Sequence, residues 1–273
     1  MPSAITEYVA PFDAVADTYD ATFSQSLIGQ KQRAVVWQEL EKVFQAGDRV
    51  LEIGCGTGID ACFMARRGVS VLACDSSPRM IQATEQRASN EKLQSDIEPQ
   101  LLLAEDLYRL QRRKLFDGAF SNFGALNCVE DLDSLAANLA QLLRPGASAL
   151  LCWMGPWCAW EVLWYLAQGR PRKAFRRLHR RPIAARIGDS AIVRVRYPSV
   201  RSLVKKFSPA FKLTGLVGIG LCVPPSYLEP WAQRLPALLR NAARVDALLS
   251  RCPGVRVLAD HLLLRFERTH AQV

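Results

Sequence analysis

Arg49-Val-Leu-Glu-Ile-Gly-Cys-Gly-Thr-Gly-Ile-Asp60 is the stretch of sequence that decides the fold. Its first residues are mostly aliphatic and predict a short buried strand, and residues 59–68 predict a helix. Three glycines lie between them, where a tight turn needs backbone conformations that glycine adopts easily. This order predicts a site at which a nucleotide-like ligand touches the backbone, because a side chain at any of the three glycines would occupy the ligand's space.

The spacing of these glycines separates two classes of nucleotide site. Gly54, Gly56 and Gly58 follow the pattern Gly-x-Gly-x-Gly, whereas the dinucleotide fingerprint that holds a pyrophosphate is Gly-x-Gly-x-x-Gly. The anionic Glu52 would oppose a pyrophosphate but suits a ligand that carries an amino group and a sulfonium. An NAD-dependent oxidoreductase is therefore a disfavoured alternative.

Residues 52–58, Glu-Ile-Gly-Cys-Gly-Thr-Gly, resemble motif I of the class I S-adenosylmethionine-dependent methyltransferases. The resemblance implies that the glycine loop packs against the methionine part of S-adenosylmethionine and that Glu52 helps to hold its amino group. The loop positions that match are Gly54, Cys55, Gly56 and Gly58.

An upstream segment, Phe12-Asp-Ala-Val-Ala-Asp-Thr-Tyr-Asp20, resembles the N-terminal lid motif of the type 11 methyltransferase group, which includes quinone-biosynthesis C-methyltransferases. The resemblance implies that Tyr19 reaches the carboxylate of the cofactor. The alternative is a short amphipathic helix that only packs on the core, since Phe12, Val15 and Tyr19 share one helical face.

The second predicted strand, residues 69–74, ends at Asp75, about 20 positions beyond the glycine loop. A carboxylate at this point can accept hydrogen bonds from both ribose hydroxyls, and we place the adjacent Ser76 in the same site. Alternatively, Asp75 only caps the next helix. Met80 resembles the apolar family residue that packs on the adenine.

The third predicted strand, residues 100–103, is followed by Ala104, Glu105 and Asp106. The family often has Gly-Asp-Ala here, with the Asp accepting from the adenine amino group, and this chain has Leu103 in the Asp position. Either Glu105, Asp106 or backbone amides near Ala104 are expected to take over that contact.

The fourth predicted strand, residues 116–121, is followed by a loop that should line cofactor and substrate, because ligands bind beyond the carboxyl ends of parallel strands where the strand order reverses. A resemblance to motif IV implies that Ser121 or Asn122 touches the methionine end. Phe123 and Asn127 are substrate candidates, although Asn127 would also serve as a loop cap.

The whole pattern predicts an α/β fold: a Rossmann-like, doubly wound, mostly parallel seven-stranded sheet with an antiparallel last strand and a helical basic insertion before strand six. We divide the chain into N-terminal lid helices (1–48), an S-adenosylmethionine-binding core (49–154), a basic and aromatic insertion (155–198) and a C-terminal completion of the sheet (199–273).

The insertion concentrates both charge and aromatic residues. Residues 162–206 contain 13 Lys and Arg against one acid, Asp189, in a chain of net charge +9. A substrate lid with a solvated basic outer face is the preferred interpretation, with Trp157 and Trp160 as substrate candidates. Peripheral membrane contact through residues 157–186 ranks second, because Trp beside Arg is typical of an interfacial helix. Nucleic acid is the least favoured partner.

These features predict a methyltransferase that uses S-adenosylmethionine to methylate oxygen or carbon of a small, lipophilic molecule. A catalytic base is optional in such a displacement, and His261 is the one weak candidate. The eight cysteines are irregularly spaced and predict neither a metal site nor disulfides, which is typical of a cytoplasmic protein. The alternatives are an RNA methyltransferase that uses the basic insertion and a non-catalytic cofactor-binding module.

Overall fold

One seven-stranded sheet organises the protein, of which the computed structural model describes residues 10–179, 181–188 and 191–270. Its strands are β1 (Arg49–Ile53), β2 (Ser70–Asp75), β3 (Ile97–Leu101), β4 (Phe116–Ser121), β5 (Leu143–Met154), β8 (Phe211–Ile219) and β9 (His261–Arg268), while β6 (Ile183–Ile187) and β7 (Ala191–Val195) form a separate hairpin. The strand order in the sheet is β3-β2-β1-β4-β5-β9-β8. The first five strands are parallel, and β9 is antiparallel to β5 and β8. The predicted fold class is confirmed.

Ten α-helices accompany these strands in the described part of the chain. They are α1 (Ala16–Tyr19), α2 (Leu27–Glu41), α3 (Ile59–Ala65), α4 (Pro78–Asn90), α5 (Leu132–Leu142), α6 (Ala159–Ala167), α7 (Pro171–Ala174), α8 (Val200–Phe207), α9 (Glu229–Arg234) and α10 (Pro236–Leu249). Side-chain caps start several of them. Ser77 accepts a hydrogen bond from the Met80 amide at α4, and Asp131 accepts from two amides at α5.

The core lies in two layers, one on each face of the sheet. Successive residues of β1 point to opposite faces, so Leu51 joins the layer that contains α5 and α8, while Val50 joins the layer that contains α2 and α3. This double coverage explains why β1 and β4 are almost continuously buried. It leaves the carboxyl ends of the strands as the place where a ligand can enter.

The structure corrects three details predicted from the sequence. The third strand begins and ends earlier than predicted, at Ile97 and Leu101, and the fifth strand already begins at Leu143. The insertion is helical only in its first half, because Ile183–Ile187 and Ala191–Val195 pair as the antiparallel strands β6 and β7. The predictions for residues 1–9, Arg180 and Asp189 fall outside the described residues.

A buried ion network ties the insertion to the sheet. The Arg177 side chain is almost fully buried; its Nε donates to Glu161 on α6 (2.8 Å) and its Nη2 donates to Asp260 (2.7 Å), immediately before β9. Arg176 also pairs with Glu161. Part of the basic run is therefore internal structure rather than a solvated surface.

No helix within the described ranges is both long and apolar enough to cross a bilayer. The described residues also contain no cluster of three or more His, Cys, Asp or Glu arranged to hold a metal ion.

Replacing the buried guanidinium should be costly for folding. We expect Arg177→Met to lower the free energy of unfolding by about 3–5 kcal/mol, because the buried Asp260 carboxylate loses its guanidinium and Glu161 loses one of the two arginines that pair with it. Urea denaturation followed by circular dichroism measures this. The exposed Arg172→Met is the matched control and should change stability by less than about 0.5 kcal/mol; equal values for the two variants would contradict the role of the network.

Candidate functional site

A cavity of about 610 Å³ opens at the carboxyl ends of β1, β2 and β4. This is the point where the strand order reverses, since β1 lies between β2 and β4. Many of the sequence-predicted cofactor residues line it: Tyr19, Gly54, Gly56, Asp75, Ser76, Met80, Ala104, Glu105 and Asn122. Five chain segments that are distant in sequence therefore meet at one site.

The three glycines of the loop have different functions, contrary to the sequence interpretation that each makes room for a ligand. A Cβ atom at Gly54 would lie 2.3 Å from the Ala125 Cβ, and one at Gly58 would lie 2.7 Å from the Thr84 side chain. A Cβ at Gly56 would meet only the Tyr19 ring, at 4.0 Å. Gly54 and Gly58 thus permit close packing within the protein, and Gly56 alone leaves space open to the cavity.

Asp75 fixes the glycine loop to the end of β2. One carboxylate oxygen accepts the Gly56 N–H (2.9 Å) and the other accepts the Ser77 N–H (2.9 Å). Burial raises the pKa of Asp75, and these backbone donors counteract that rise. Each oxygen retains a further lone pair, so the carboxylate can still accept hydrogen bonds from a ligand diol.

The N-terminal segment is tied to the glycine loop by two aspartates that the sequence analysis did not single out. Asp13 accepts hydrogen bonds from the Ser77 hydroxyl and the Arg79 amide at the start of α4. Asp20 accepts from the Thr57 hydroxyl (2.6 Å) and pairs with Arg87. Tyr19 is thereby held beside Gly56, and burial raises its pKa to about 12, so the phenol stays protonated. The signal available in the sequence was the pair of aspartates within the lid motif.

A second buried polar cluster lies next to the cavity, around Asp60 on α3. Its carboxylate accepts from Arg33 (2.6 Å), from the Trp37 indole (2.7 Å) and from the Asn122 amide (2.9 Å). Polar residues at inward positions of α2 and α3 were the signal that the sequence analysis missed. Asn122 joins the cluster to the cavity wall.

Glu52 lies in the same cluster but does not line the cavity. It is 2% exposed, and its Oε2 atom has no hydrogen-bond partner among the described residues. Burial, and then the neighbouring Asp60 carboxylate, raise the pKa of Glu52 well above its usual value. An unpartnered buried acceptor is costly for the protein alone, and it fits a site that receives a cationic amino group.

The opposite end of the cavity is apolar at the position where the family often has an Asp. Leu103 lines it together with Ala104 and the exposed Glu105. Asp106 lies outside the lining and contacts Arg109. Of the three groups predicted to replace the adenine contact, Glu105 and the backbone near Ala104 lie at the cavity, and Asp106 does not.

Several other predicted residues contribute to the framework around the cavity. Gly58 and Cys55 pack against Thr84, and the Ser121 hydroxyl donates to the Ile53 carbonyl (2.6 Å), which joins β4 to β1. These residues do not line the cavity.

The substrate candidates divide in a similar way. Phe123 lines the cavity, whereas Trp157 and Trp160 do not. The Trp160 indole donates to the Cys222 carbonyl (3.0 Å), and Trp157 is partly exposed.

The weak base candidate His261 is buried. Its ring is nearly perpendicular to the Phe123 ring, and its Nδ1 atom lies 3.4 Å from Asp260. Burial alone would raise the pKa of Asp260, but the adjacent His261 and Arg177 hold it below its usual value.

Asn127 positions the insertion. Its amide nitrogen donates to the carbonyls of Met154 (2.9 Å) and Arg196 (2.5 Å), and its oxygen accepts the Met154 amide (2.8 Å). The side chain is fully buried and has little capacity left for a substrate. It holds the exit of the β6–β7 hairpin against the ends of β4 and β5.

The hairpin itself supplies cavity residues that the sequence analysis did not identify. Ile192, Val193 and Arg194 of β7 line the cavity opposite the glycine loop segment. Short β-branched runs on both sides of Gly188 were the available signal for this hairpin.

Comparison with known proteins finds methyltransferases that are similar to part of this chain. Residues 50–146 match the family described as "Methyltransferase domain". The tRNA 5-carboxymethoxyuridine methyltransferase of Escherichia coli strain K12 is 30% identical over 139 residues, which is 50% of this chain and 52% of that protein. The demethylmenaquinone methyltransferase of Clavibacter sepedonicus is 29% identical over 145 residues, which is 52% of this chain and 56% of that protein.

One solved structure, of the cyclase SpnF, superposes with a TM-score of 0.62 at 13% identity and covers 95% of this chain and 94% of that chain. Such a likeness concerns the fold alone. The chain spans about half the length of the curated relatives it matches. The predicted resemblance to S-adenosylmethionine-dependent methyltransferases is confirmed.

The orphaned carboxylate predicts an unusual response of stability to pH. We expect Glu52→Gln to raise the free energy of unfolding of the ligand-free protein by about 1–3 kcal/mol at neutral pH, because it removes a buried carboxyl group whose ionisation the native state opposes and whose Oε2 atom is unsatisfied among the described residues. The pKa of Glu52 is higher in the native state than in the unfolded chain. The free energy of unfolding of the wild type therefore falls as the pH rises above the pKa that Glu52 has in the unfolded chain. The advantage of Glu52→Gln should therefore vanish in acid.

Chemical denaturation at several pH values measures this difference. The exposed Glu85→Gln is the control and should show no such dependence. A destabilised Glu52→Gln protein at neutral pH would mean that Glu52 has a structural partner.

Proposed function

We propose that this chain transfers a methyl group from S-adenosylmethionine to oxygen or carbon of a small, lipophilic molecule. The single observation that carries the proposal is the cavity at the sheet's switch point, which is lined by Gly56 and Asp75 and by a larger set of apolar side chains, here called the apolar wall. That wall consists of Phe12, Phe123, Leu126, Val129 and Ile192. The family match supports the cofactor, and the apolar wall supports the class of acceptor.

The residues present fit this cofactor. Asp75 would accept from the ribose hydroxyls, backbone at Gly56 would face the methionine part, and Met80 and Leu103 would flank the adenine. The unpartnered Glu52 oxygen and the Asn122 side chain, whose Oδ1 is also unsatisfied, would receive the amino group. When bound, the sulfonium supplies an activated methyl group.

The protein's own contribution is alignment of the acceptor and exclusion of water, which accelerate an in-line displacement without a strong base. The hairpin residues Ile192 and Val193 close the apolar side of the cavity. Asn127 fixes the position of this hairpin through its contact with Arg196. The predicted assignment of the insertion as a substrate lid therefore rests on β6–β7 rather than on its tryptophans.

Binding of the cofactor is the first test. We expect micromolar binding of S-adenosylmethionine and S-adenosylhomocysteine, and none of NAD, in calorimetry of the purified chain. Gly56→Ala should lose at least tenfold in affinity, because its Cβ enters the open space of the cavity. Asp75→Ala should lose a similar factor by removing the acceptor for the ribose.

Gly47→Ala is the matched control for this test. Gly47 also has a positive φ, of 90°, and a Cβ there would meet nothing within 4 Å. It therefore reproduces the backbone strain of Gly56→Ala away from the cavity. Binding of NAD alone would contradict the proposed site. Equal affinity of Gly56→Ala and Gly47→Ala for S-adenosylmethionine would contradict it as well.

Acceptor binding is the second test. Among lipophilic phenols and quinones screened as acceptors, the best should show a KM at least tenfold higher with Ile192→Glu, because the change puts a charge on the apolar wall. The affinity for S-adenosylmethionine should stay within about twofold. A change in kcat with an unchanged KM would contradict the assignment of β7 to the acceptor side.

RNA methylation is the second candidate, since one relative is named for a tRNA substrate and the insertion is strongly basic. Arg176 and Arg177 do not serve as phosphate ligands in this structure, because both pair with Glu161. The described cations of the insertion that are exposed and could contact phosphate are Arg170, Arg172, Lys173, Arg181, Arg186 and Arg194. Binding of RNA with a steep salt dependence would favour this candidate.

Two further alternatives accompany the proposal. A non-catalytic module would bind the cofactor without turnover, and the same fold occurs in a protein described as a cyclase. Peripheral membrane contact through residues 157–186 is supported by exposed apolar residues on α6 beside the cations of α7.

A further inference from the structure

The segment α9–α10 carries an apolar stripe that the core does not cover. Trp231, Leu238 and Val245 recur every seven residues, and Leu235 lies between them at helical spacing. All four are exposed, with 56% of Trp231 and 62% of Leu238 accessible. Leu235 leaves helical geometry (φ −128°, ψ 56°) and separates α9 from α10. Its amide still donates to the Trp231 carbonyl and its carbonyl accepts from the Leu239 amide, so the apolar residues lie on two directly consecutive helices.

This stripe is separate from the face by which the same helices pack on the protein. Ala232, Leu239 and the partly buried Ala243 lie on the inner side, against Ile28 of α2 and the insertion's Trp160. The exposed stripe is therefore additional apolar surface. Exposed apolar residues that line up along a helix, rather than being scattered singly, indicate an interaction surface.

The stripe continues onto α6 of the insertion. Trp164 meets Trp231 edge to face, with ring centroids 6.0 Å apart. Next to this contact, Leu163 and Leu166 are exposed, Leu163 by 66%. We call the exposed residues of α6, α9 and α10 together the α6/α10 face.

Charge on this face has one sign. Segments 159–178 and 229–251 contain only three acids, and all three are used internally. Glu161 pairs with Arg177, Glu229 caps the amides of Leu27 and Ile28, and Asp246 accepts from the amides of Cys222 and Val223.

Apart from Arg176 and Arg177, which pair with Glu161, the cations of the same segments are exposed. Those that are exposed and make no ion pair within the described ranges are Arg170, Arg172, Lys173, Arg234, Arg240 and Arg244. An apolar stripe flanked by cations and free of acids complements a surface that is anionic outside and hydrocarbon beneath.

We infer that the α6/α10 face docks the protein on an anionic lipid bilayer as a peripheral, interfacial contact. The aliphatic residues Leu163, Leu235 and Leu238 favour lipid over nucleic acid, since bases stack on aromatic rings but gain little from exposed leucines. Trp231 is the residue type that sits at the headgroup level. Such docking would bring a lipophilic acceptor to the enzyme, and to that extent the inference extends the proposed function.

Vesicle flotation with the full chain tests the inference directly. The protein should bind vesicles of phosphatidylglycerol and phosphatidylcholine in equal parts, and bind pure phosphatidylcholine at least tenfold more weakly. The double change Trp231→Glu with Leu238→Glu should weaken binding to the anionic vesicles at least tenfold. Arg234→Gln with Arg240→Gln and Arg244→Gln should do the same, and added salt should weaken wild-type binding.

The matched control is Tyr108→Glu with Leu115→Glu, which adds the same charge at two exposed apolar residues outside the face. It should bind vesicles like the wild type. Circular dichroism and S-adenosylmethionine affinity report whether each variant is folded. Because flotation requires no turnover, its outcome is independent of whether methyl transfer is found.

Three outcomes would overturn the inference. The first is that the wild type fails to bind anionic vesicles, and the second is that it binds neutral and anionic vesicles equally. The third is that RNA added as a competitor releases it from the vesicles. A concentration-dependent dimer that the Trp231→Glu and Leu238→Glu change dissociates, without vesicle binding, would assign the face to a second copy of the chain.

Discussion

The folding of the glycine loop onto the end of β2 is the constraint on which the rest of the site depends. The amides of Gly54 and Cys55 both donate to the Cys74 carbonyl, at 2.8 and 2.9 Å, and the Gly56 amide donates to the Asp75 side chain. These bonds require the chain to leave β1 in a left-handed turn, with φ of 72° at Gly54 and 55° at Gly56. The positions of the Asp75 carboxylate and the Gly56 backbone, to which we assign the ribose and the methionine part of the cofactor, are therefore set by one interaction.

The molecule separates the two sides of its cavity by the way each is built. The side at Gly56 and Asp75 consists of backbone and of short polar residues at strand ends, whereas the apolar wall consists of side chains from the N-terminal segment, the loop after β4 and the β6–β7 hairpin. Side chains on such loops can change the shape of the wall without disturbing the sheet. The relatives that are similar to part of this chain are named for different substrates, a tRNA and demethylmenaquinone.

The sequence predicted the strand, the glycine loop and the position of Asp75 because their signals are local. Gly54, Gly56, Gly58 and Asp75 occur within one strand-loop-helix-strand unit, where spacing alone specifies the geometry. The different tasks of the three glycines could not be predicted, since they depend on Ala125 and Thr84, which approach from other elements. Likewise, the sequence identified Glu52 as a candidate residue, but its burial beside Asp60 depends on the tertiary structure and could not be predicted.

The insertion shows what composition cannot reveal. Arg177 looked like one more cation of a solvated run, yet its guanidinium is buried between Glu161 and Asp260 and connects α6 to the start of β9. Charged residues with matching partners that are distant in the chain can be internal, and a count of charges cannot distinguish them from exposed ones. Glu161, Glu229 and Asp246 all bind groups of the protein itself. The exposed cations near them in the chain are therefore not neutralised by these carboxylates. The positive outer surface of α6 and α10 is thus a consequence of how the interior satisfies its own carboxylates.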